Sequence, residues 1–157
     1  MEAEGMVHAL EEIIHLIKPD GCLIDIHPVR EAPLIKVHQG GDLLFTESDP
    51  GYDYDEGLQH ADKALEEAVL RGLYRIEGKA EFELVTYASS VYEMRDYWAK
   101  YSAFDDEPKD EAITTRQNDV YAQTDKIMQN ASGAEITYHE RARITRLKPN
   151  ASYKKEQ

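Results

Sequence analysis

Between Glu2 and Ile26 the hydrophobic period changes once, from helical to extended, and this switch limits the fold more than any other feature of the chain. Met6, Leu10, Ile13, Ile14 and Ile17 recur at helical spacing, with Glu4, His8, Glu11, Glu12 and His15 opposite them. Pro19-Asp20-Gly21 stops the helix, because proline disfavours helical backbone in the residue before it and glycine accepts a left-handed turn. The run Cys22-Leu23-Ile24-Asp25-Ile26 that follows is apolar on nearly both faces, and His27-Pro28 ends it. Strands of that kind lie inside a sheet covered by helices. The expected class is therefore α/β, or α+β.

The remaining elements follow from the same two periods. Leu34 to His38 and Asp42 to Phe45 flank Gly40-Gly41, a two-residue hairpin signal. Thr46 to Asp55 is acidic and turn-rich around Pro50-Gly51, and reads as a solvated loop. A second helix is expected from Tyr54 to Arg71 on a stripe of Leu58, Ala61, Leu65, Ala68 and Val69, with Gly72 past its end. Leu73 to Tyr87 forms one long strand or a hairpin bent near Gly78. Ser90-Val91-Tyr92-Glu93 matches a capping box and starts a third helix carrying Val91, Met94, Tyr97, Trp98 and Tyr101. After a loop from Phe104 to Pro108, a fourth helix runs from Asp110 to Gln129. The last strand, Ala134 to Leu147, alternates: Ile136, Tyr138, Ala142 and Ile144 face one side, His139, Arg141, Arg143 and Thr145 the other, one buried and one wet. A single domain over residues 1–149 and a disordered tail from Asn150 complete the reading.

Charge and cysteine usage exclude several function classes. The net charge of −13 opposes nonspecific nucleic-acid binding, which rests on neutralising phosphates. Residues 134–157 nonetheless hold six Lys/Arg against three Asp/Glu, a local +3, leaving −16 elsewhere. That basic end reads as a solvated face or as a contact for an acidic partner, including a second copy of the chain. Cys22 is the only cysteine, so no intrachain disulfide forms and a reducing, cytosolic compartment is expected. The short apolar runs fit no membrane span, and the acidic Met1-Glu2-Ala3-Glu4-Gly5 start is unlike a signal peptide.

The order of a helix, Leu16-Ile17-Lys18-Pro19-Asp20-Gly21 and the apolar strand at 22–26 resembles the segment of class I S-adenosylmethionine-dependent methyltransferases that leads into their fifth strand. There a helix ends in a Leu-Lys-Pro-Gly-Gly turn. This chain has Ile17 at the leucine position and Asp20 at the first glycine. The start of that helix, Gly5 to Glu12, is similar too, and the later order of elements looks like the tail of the fold. The resemblance spans residues 4–147 and implies a partial Rossmann-like sheet whose last two strands form an antiparallel pair, with about four helices and an added hairpin at 34–46. It also implies that the strand at 22–26, internal in the family, here lacks the fourth strand that would flank it, leaving an open edge for the hairpin at 34–46 or a second copy to cover, with a two-fold homodimer the favoured outcome. The family's cofactor sits on a glycine-rich turn after the first strand and an acid at the end of the second, both upstream of this segment. The nine glycines here include no Gly-x-Gly. The expectation is a methyltransferase-like distal half that binds no S-adenosylmethionine, and performs no methyl transfer, by itself. The alternative is a non-enzymatic, dimeric α/β module binding a partner protein or a small ligand.

Candidate contacts are few. Asp25, His27 and Arg30 lie at the carboxyl end of the apolar strand, where open α/β sheets bind ligands, and Arg141 and Arg143 line the wet side of the last strand as possible partner contacts. The i, i+4 pairs His8/Glu12 and Glu11/His15 match metal-ligand spacing but equally a solvated helix face, so no metal is assigned. Tyr92, Tyr97, Trp98, Tyr101 and Phe104 read as core aromatics, with a stacking platform as the sharper option. Catalytic residues are not legible.

Overall fold

The computed structural model describes residues 3–51, 56–101 and 110–150 of the chain. They form four helices and a five-stranded antiparallel sheet. The elements are α1 (Ala3–Leu16), β1 (Leu23–Pro28), β2 (Leu34–Gln39), β3 (Asp42–Ser48), α2 (Glu56–Leu70), β4 (Tyr74–Ala88), α3 (Val91–Tyr101), α4 (Glu111–Asn130) and β5 (Glu135–Pro149). The strand order is β1-β5-β2-β3, with β4 also paired to β5. No helix among the described residues is long and apolar enough to cross a membrane. The chain divides into two compact units, 1–31 with 54–82 and 141–157, and 32–53 with 83–140. The long strands β4 and β5 each give one half to either unit.

In the first unit α1 and α2 pack on the β1 and β5 strand pair. Val7 and Ile14 of α1 meet Ala64 and Ala68 of α2, and Leu73, Tyr74 and Leu147 complete a fully buried cluster. The helix stripes are close to those the sequence indicates: on α1 Ile14 is fully buried and Val7 joins it while Ile13 is only partly buried, and Ala64 joins α2's stripe. Gly72 has φ +74, the left-handed conformation that ends a helix. β1 pairs antiparallel with β5 from Leu23↔Leu147 to Pro28↔Ala142. Among the described residues it stands at the end of the strand order, and Ile24 and Ile26 are 46% and 57% exposed. Asn150, assigned to the tail by sequence, is tied down: its N–H donates to Leu73 O (3.0 Å) and its side-chain amide to Gly72 O (2.7 Å). The rest of the expected tail lies outside the described residues.

In the second unit Gly40 (φ +59) and Gly41 (φ +97) make the tight turn between β2 and β3. β2 pairs on its other side with β5, from Leu34↔His139 to His38↔Glu135. The hairpin thus joins the sheet directly. Ile35, Val37, Ile136 and Tyr138 form a core with Val91 and Met94 of α3 and Tyr121 of α4. β4 is one continuous strand through Gly78. Ser90 Oγ accepts from Glu93 N–H, while Glu93 Oε2 accepts from Ser89 N–H and Oγ (both 2.7 Å), a capping box shifted back by one residue on its return bond. β5 departs from its expected one-sided burial: Thr137, Thr145 and Leu147 are buried as well as Ile136, Tyr138 and Ala142. The cause is that in the first unit the helices cover the Thr145/Leu147 side, whereas in the second the Ile136/Tyr138 side is packed. The acidic loop also departs from expectation, since Asp49 is buried; its neighbours at 52–55 and the loop at 104–108 lie outside the described residues.

Tyr74 gives the first unit a measurable pH signature. Its hydroxyl donates to Leu10 O (2.8 Å), and burial pushes the phenol's pKa up to about 12, above the unfolded value of about 10. A group whose folded pKa is raised contributes fully below the unfolded pKa and loses that contribution as pH rises through the folded one. Urea midpoints should therefore fall from about pH 10 toward about pH 12. Tyr74→Phe should flatten that slope and cost about 1 kcal/mol at neutral pH; an identical slope in the variant would refute the assignment.

Candidate functional site

β1 and β5 bring four of the five sequence candidates together on the face of the first unit that carries α2. The pairing sets Asp25 opposite Thr145 and His27 opposite Arg143. His27, 8% exposed, lies with Nδ1 2.7 Å from Asp25 Oδ2 and Nε2 3.2 Å from Asp62 Oδ1 of α2. Both contacts are hydrogen bonds at once only when both ring nitrogens carry protons, because a carboxylate accepts and does not donate. Arg143 donates to Asp62 Oδ1 (2.9 Å) and to Glu81 Oε1 (3.1 Å) of β4. Arg141 bonds Glu81 Oε2 and makes a two-pronged contact with Glu31 (2.7 and 2.8 Å). Those Glu31 bonds, with its charge and that of Glu81, raise the pKa of the Arg141 guanidinium further. Arg30 stands exposed in the bend after β1.

The result is one connected polar network of Asp25, His27, Asp62, Arg143, Glu81, Arg141 and Glu31. Its chemistry is orientation rather than exposure. Asp25 fixes the His27 ring, and a substrate proton would reach Nε2 only by displacing Asp62. Arg141 and Arg143, read by sequence as outward contacts, hold carboxylates of their own chain. The members missed by sequence had a signal. Arg75, Glu77, Lys79, Glu81 and Glu83 alternate along one side of β4, a charged complement to the basic alternation of β5. Arg146 to Glu77 (3.3 Å) and His139 to Glu83 (3.1 Å) extend the same match. Asp62 is different: it sits beside the apolar stripe of α2 and only the packed helix aims it at His27.

The second unit has its own buried polar centre. Asp49 accepts from Gly51 N–H (2.8 Å) and Gln117 Nε2 (2.9 Å) through Oδ1, and from the Tyr138 hydroxyl (3.0 Å) through Oδ2. Burial, then the Asp49 charge, push the neighbouring Tyr121 phenol above its ordinary range. A Cβ at Gly51 would lie 1.9 Å from Gln117 Nε2, so a side chain there would displace Gln117 from Asp49. The aromatics of α3 are not all core: Tyr92 and Tyr97 are exposed and Trp98 is half-buried. On α1, His8 lies 3.7 Å from Glu11 at the surface, and among the described residues no group of three His, Cys, Asp or Glu side chains is placed to hold a metal. Comparison with protein-family models, curated sequences and solved structures finds no match for the chain.

Arg143 is the pivot of the charged chain. Its side chain is 20% exposed, and its Nε is buried with no acceptor among the described residues. Removing it leaves Asp62 and Glu81 without their shared cation. Arg143→Ala should cost about 1–3 kcal/mol in urea unfolding, while Arg141→Ala, at the solvated end, should cost clearly less. Equal losses would show that burial does not grade the network.

Proposed function

We propose that this chain is the distal half of a class I methyltransferase-like fold, one that does not bind S-adenosylmethionine by itself. The observation that carries the reading is the arrangement around β5. The last two strands pair, β5 lies between β1 and β4, and the helix-to-strand turn at Lys18-Pro19-Asp20-Gly21 leads into β1. Among the described residues β1 pairs only with β5, and its second edge lies where the family resemblance puts a further strand. In this reading Asp25 and His27, at the carboxyl end of β1, are positioned by Asp62 and Arg143 for a site that upstream elements would complete.

Two experiments bear on it. Calorimetric titration of the chain with S-adenosylmethionine should give no saturable heat, since no Gly-x-Gly lets backbone approach the ligand closely. A micromolar dissociation constant would overturn that part. Reading the coding sequence upstream of Met1 tests the family part: an in-frame strand followed by a Gly-x-Gly turn is expected, and its absence would count against a distal half.

A second reading, a self-associating module, is favoured by the same open edge. A strand with an unpaired edge and two exposed isoleucines is a template for another chain. The hairpin is paired with β5 within its own unit. Two β1 edges meeting around a two-fold axis would bury Ile24 and Ile26 of both copies. Light scattering at micromolar concentration should then report a dimer, and Ile26→Lys should convert it to a monomer of 18.0 kDa. A wild-type monomer would sink this reading and leave the first standing.

A further inference from the structure

We propose that the second unit binds a small organic cation, of the quaternary or methylated ammonium class, in an aromatic pocket between the end of β4, α3 and the start of β5. Four aromatic side chains line it: Tyr87, Tyr97, Trp98 and Tyr138. Tyr138 and Met94 are buried at its base, Trp98 is half-buried, and Tyr87 (68% exposed) and Tyr97 stand toward solvent. The rings are not stacked in parallel. Tyr97 meets Trp98 at 84° with centroids 5.1 Å apart, and Trp98 meets Tyr138 at 49° and 4.7 Å. Rings at such angles make the walls of a corner, and aromatic walls attract a cation through the negative potential of their faces.

Charge at the mouth selects the same ligand. The pocket of about 60 Å³ adjoins a wider opening of about 460 Å³ that shares Tyr87, Ala88 and Glu93 and adds Glu135. Among the described residues no Lys, Arg or His lines either one, and the two charged side chains there are carboxylates. Hydrogen bonds from the Ser89 hydroxyl and backbone hold the Glu93 carboxyl below its usual range, so it is ionised at neutral pH and fixed in place. The inner space admits roughly four to six water-sized groups, the bulk of a trimethylammonium head, and the outer opening leaves room for what is attached to it. An anion would meet two carboxylates, and a neutral apolar ligand would leave them unused.

This site does not depend on the methyltransferase reading, since it lies in the second unit and needs no cofactor. Trp98 is the only tryptophan and reports on the pocket directly. Its fluorescence should change saturably on titration of the full chain with choline, and the carbon isostere 3,3-dimethylbutan-1-ol should bind about tenfold more weakly. Tyr87→Leu, at a position 68% exposed, should weaken choline roughly threefold to tenfold, and Glu93→Gln should weaken choline but not the isostere. Equal affinity for choline and the isostere would mean an apolar pocket only and would overturn the proposal. So would the absence of any saturable change, or choline binding that Tyr87→Leu and Glu93→Gln both leave unaltered.

Discussion

The antiparallel match between an acidic strand and a basic one is the interaction on which the rest of the molecule depends. β4 carries Glu77, Glu81 and Glu83, and β5 carries His139, Arg141, Arg143 and Arg146. Arg146 reaches Glu77, Arg143 and Arg141 reach Glu81, and His139 reaches Glu83, so numbers rise along one strand as they fall along the other. Exposed pairs of this kind contribute only about 0–1 kcal/mol each. Their weight lies in register, because a slip of one residue would turn every charged side chain to the opposite face. In a chain of net charge −13, strand-for-strand complementarity also removes repulsion that a random placement would leave.

Once β5 is in register, its other edge is committed. In the first unit Leu147 falls opposite Leu23 and drops into the Val7, Ile14 and Tyr74 cluster, which is where the folding free energy comes from. The same pairing puts Arg143 opposite His27 and links the ion pairs into one chain. In the second unit Ile136 falls opposite Val37 and Tyr138 opposite Ile35, and the Tyr138 hydroxyl finds Asp49. Hydrophobic burial drives each unit, and polar pairing decides which arrangement of the strands is reached.

The two polar centres differ in how closed they are. Around His27 each carboxylate has a hydrogen-bond partner within its own unit, so the network orients a ring and ties α2 to the sheet. At the aromatic pocket the carboxylates of Glu93 and Glu135 face an opening with no basic side chain in its lining among the described residues. Unmatched charge beside aromatic faces is the more chemically available of the two arrangements, and it lay hidden because Tyr87, Trp98 and Tyr138 come from three separate elements.

The sequence by itself determined the elements, because their causes are local. Helical and extended periods, the Gly40-Gly41 turn, the Gly72 stop and the Ser90/Glu93 cap all act within a few residues, and observed boundaries fall close to those they imply. Asp25, His27, Arg141 and Arg143 were also legible as polar residues on otherwise apolar strands. What only the tertiary structure decided were facts about neighbours far along the chain. Ile24 and Ile26 of β1 became exposed, since the helices of the first unit cover only the side of the strand pair that carries Leu23 and Leu147. Asp49 became buried because Gln117 and Tyr138, 68 and 89 residues away, supply its donors. Arg141 and Arg143 hold carboxylates of their own chain because those carboxylates lie on β4, α2 and the bend after β1. Hydrophobic period records which side of an element is apolar, whereas the partner of a charge is fixed only when packing brings distant segments within a few ångströms.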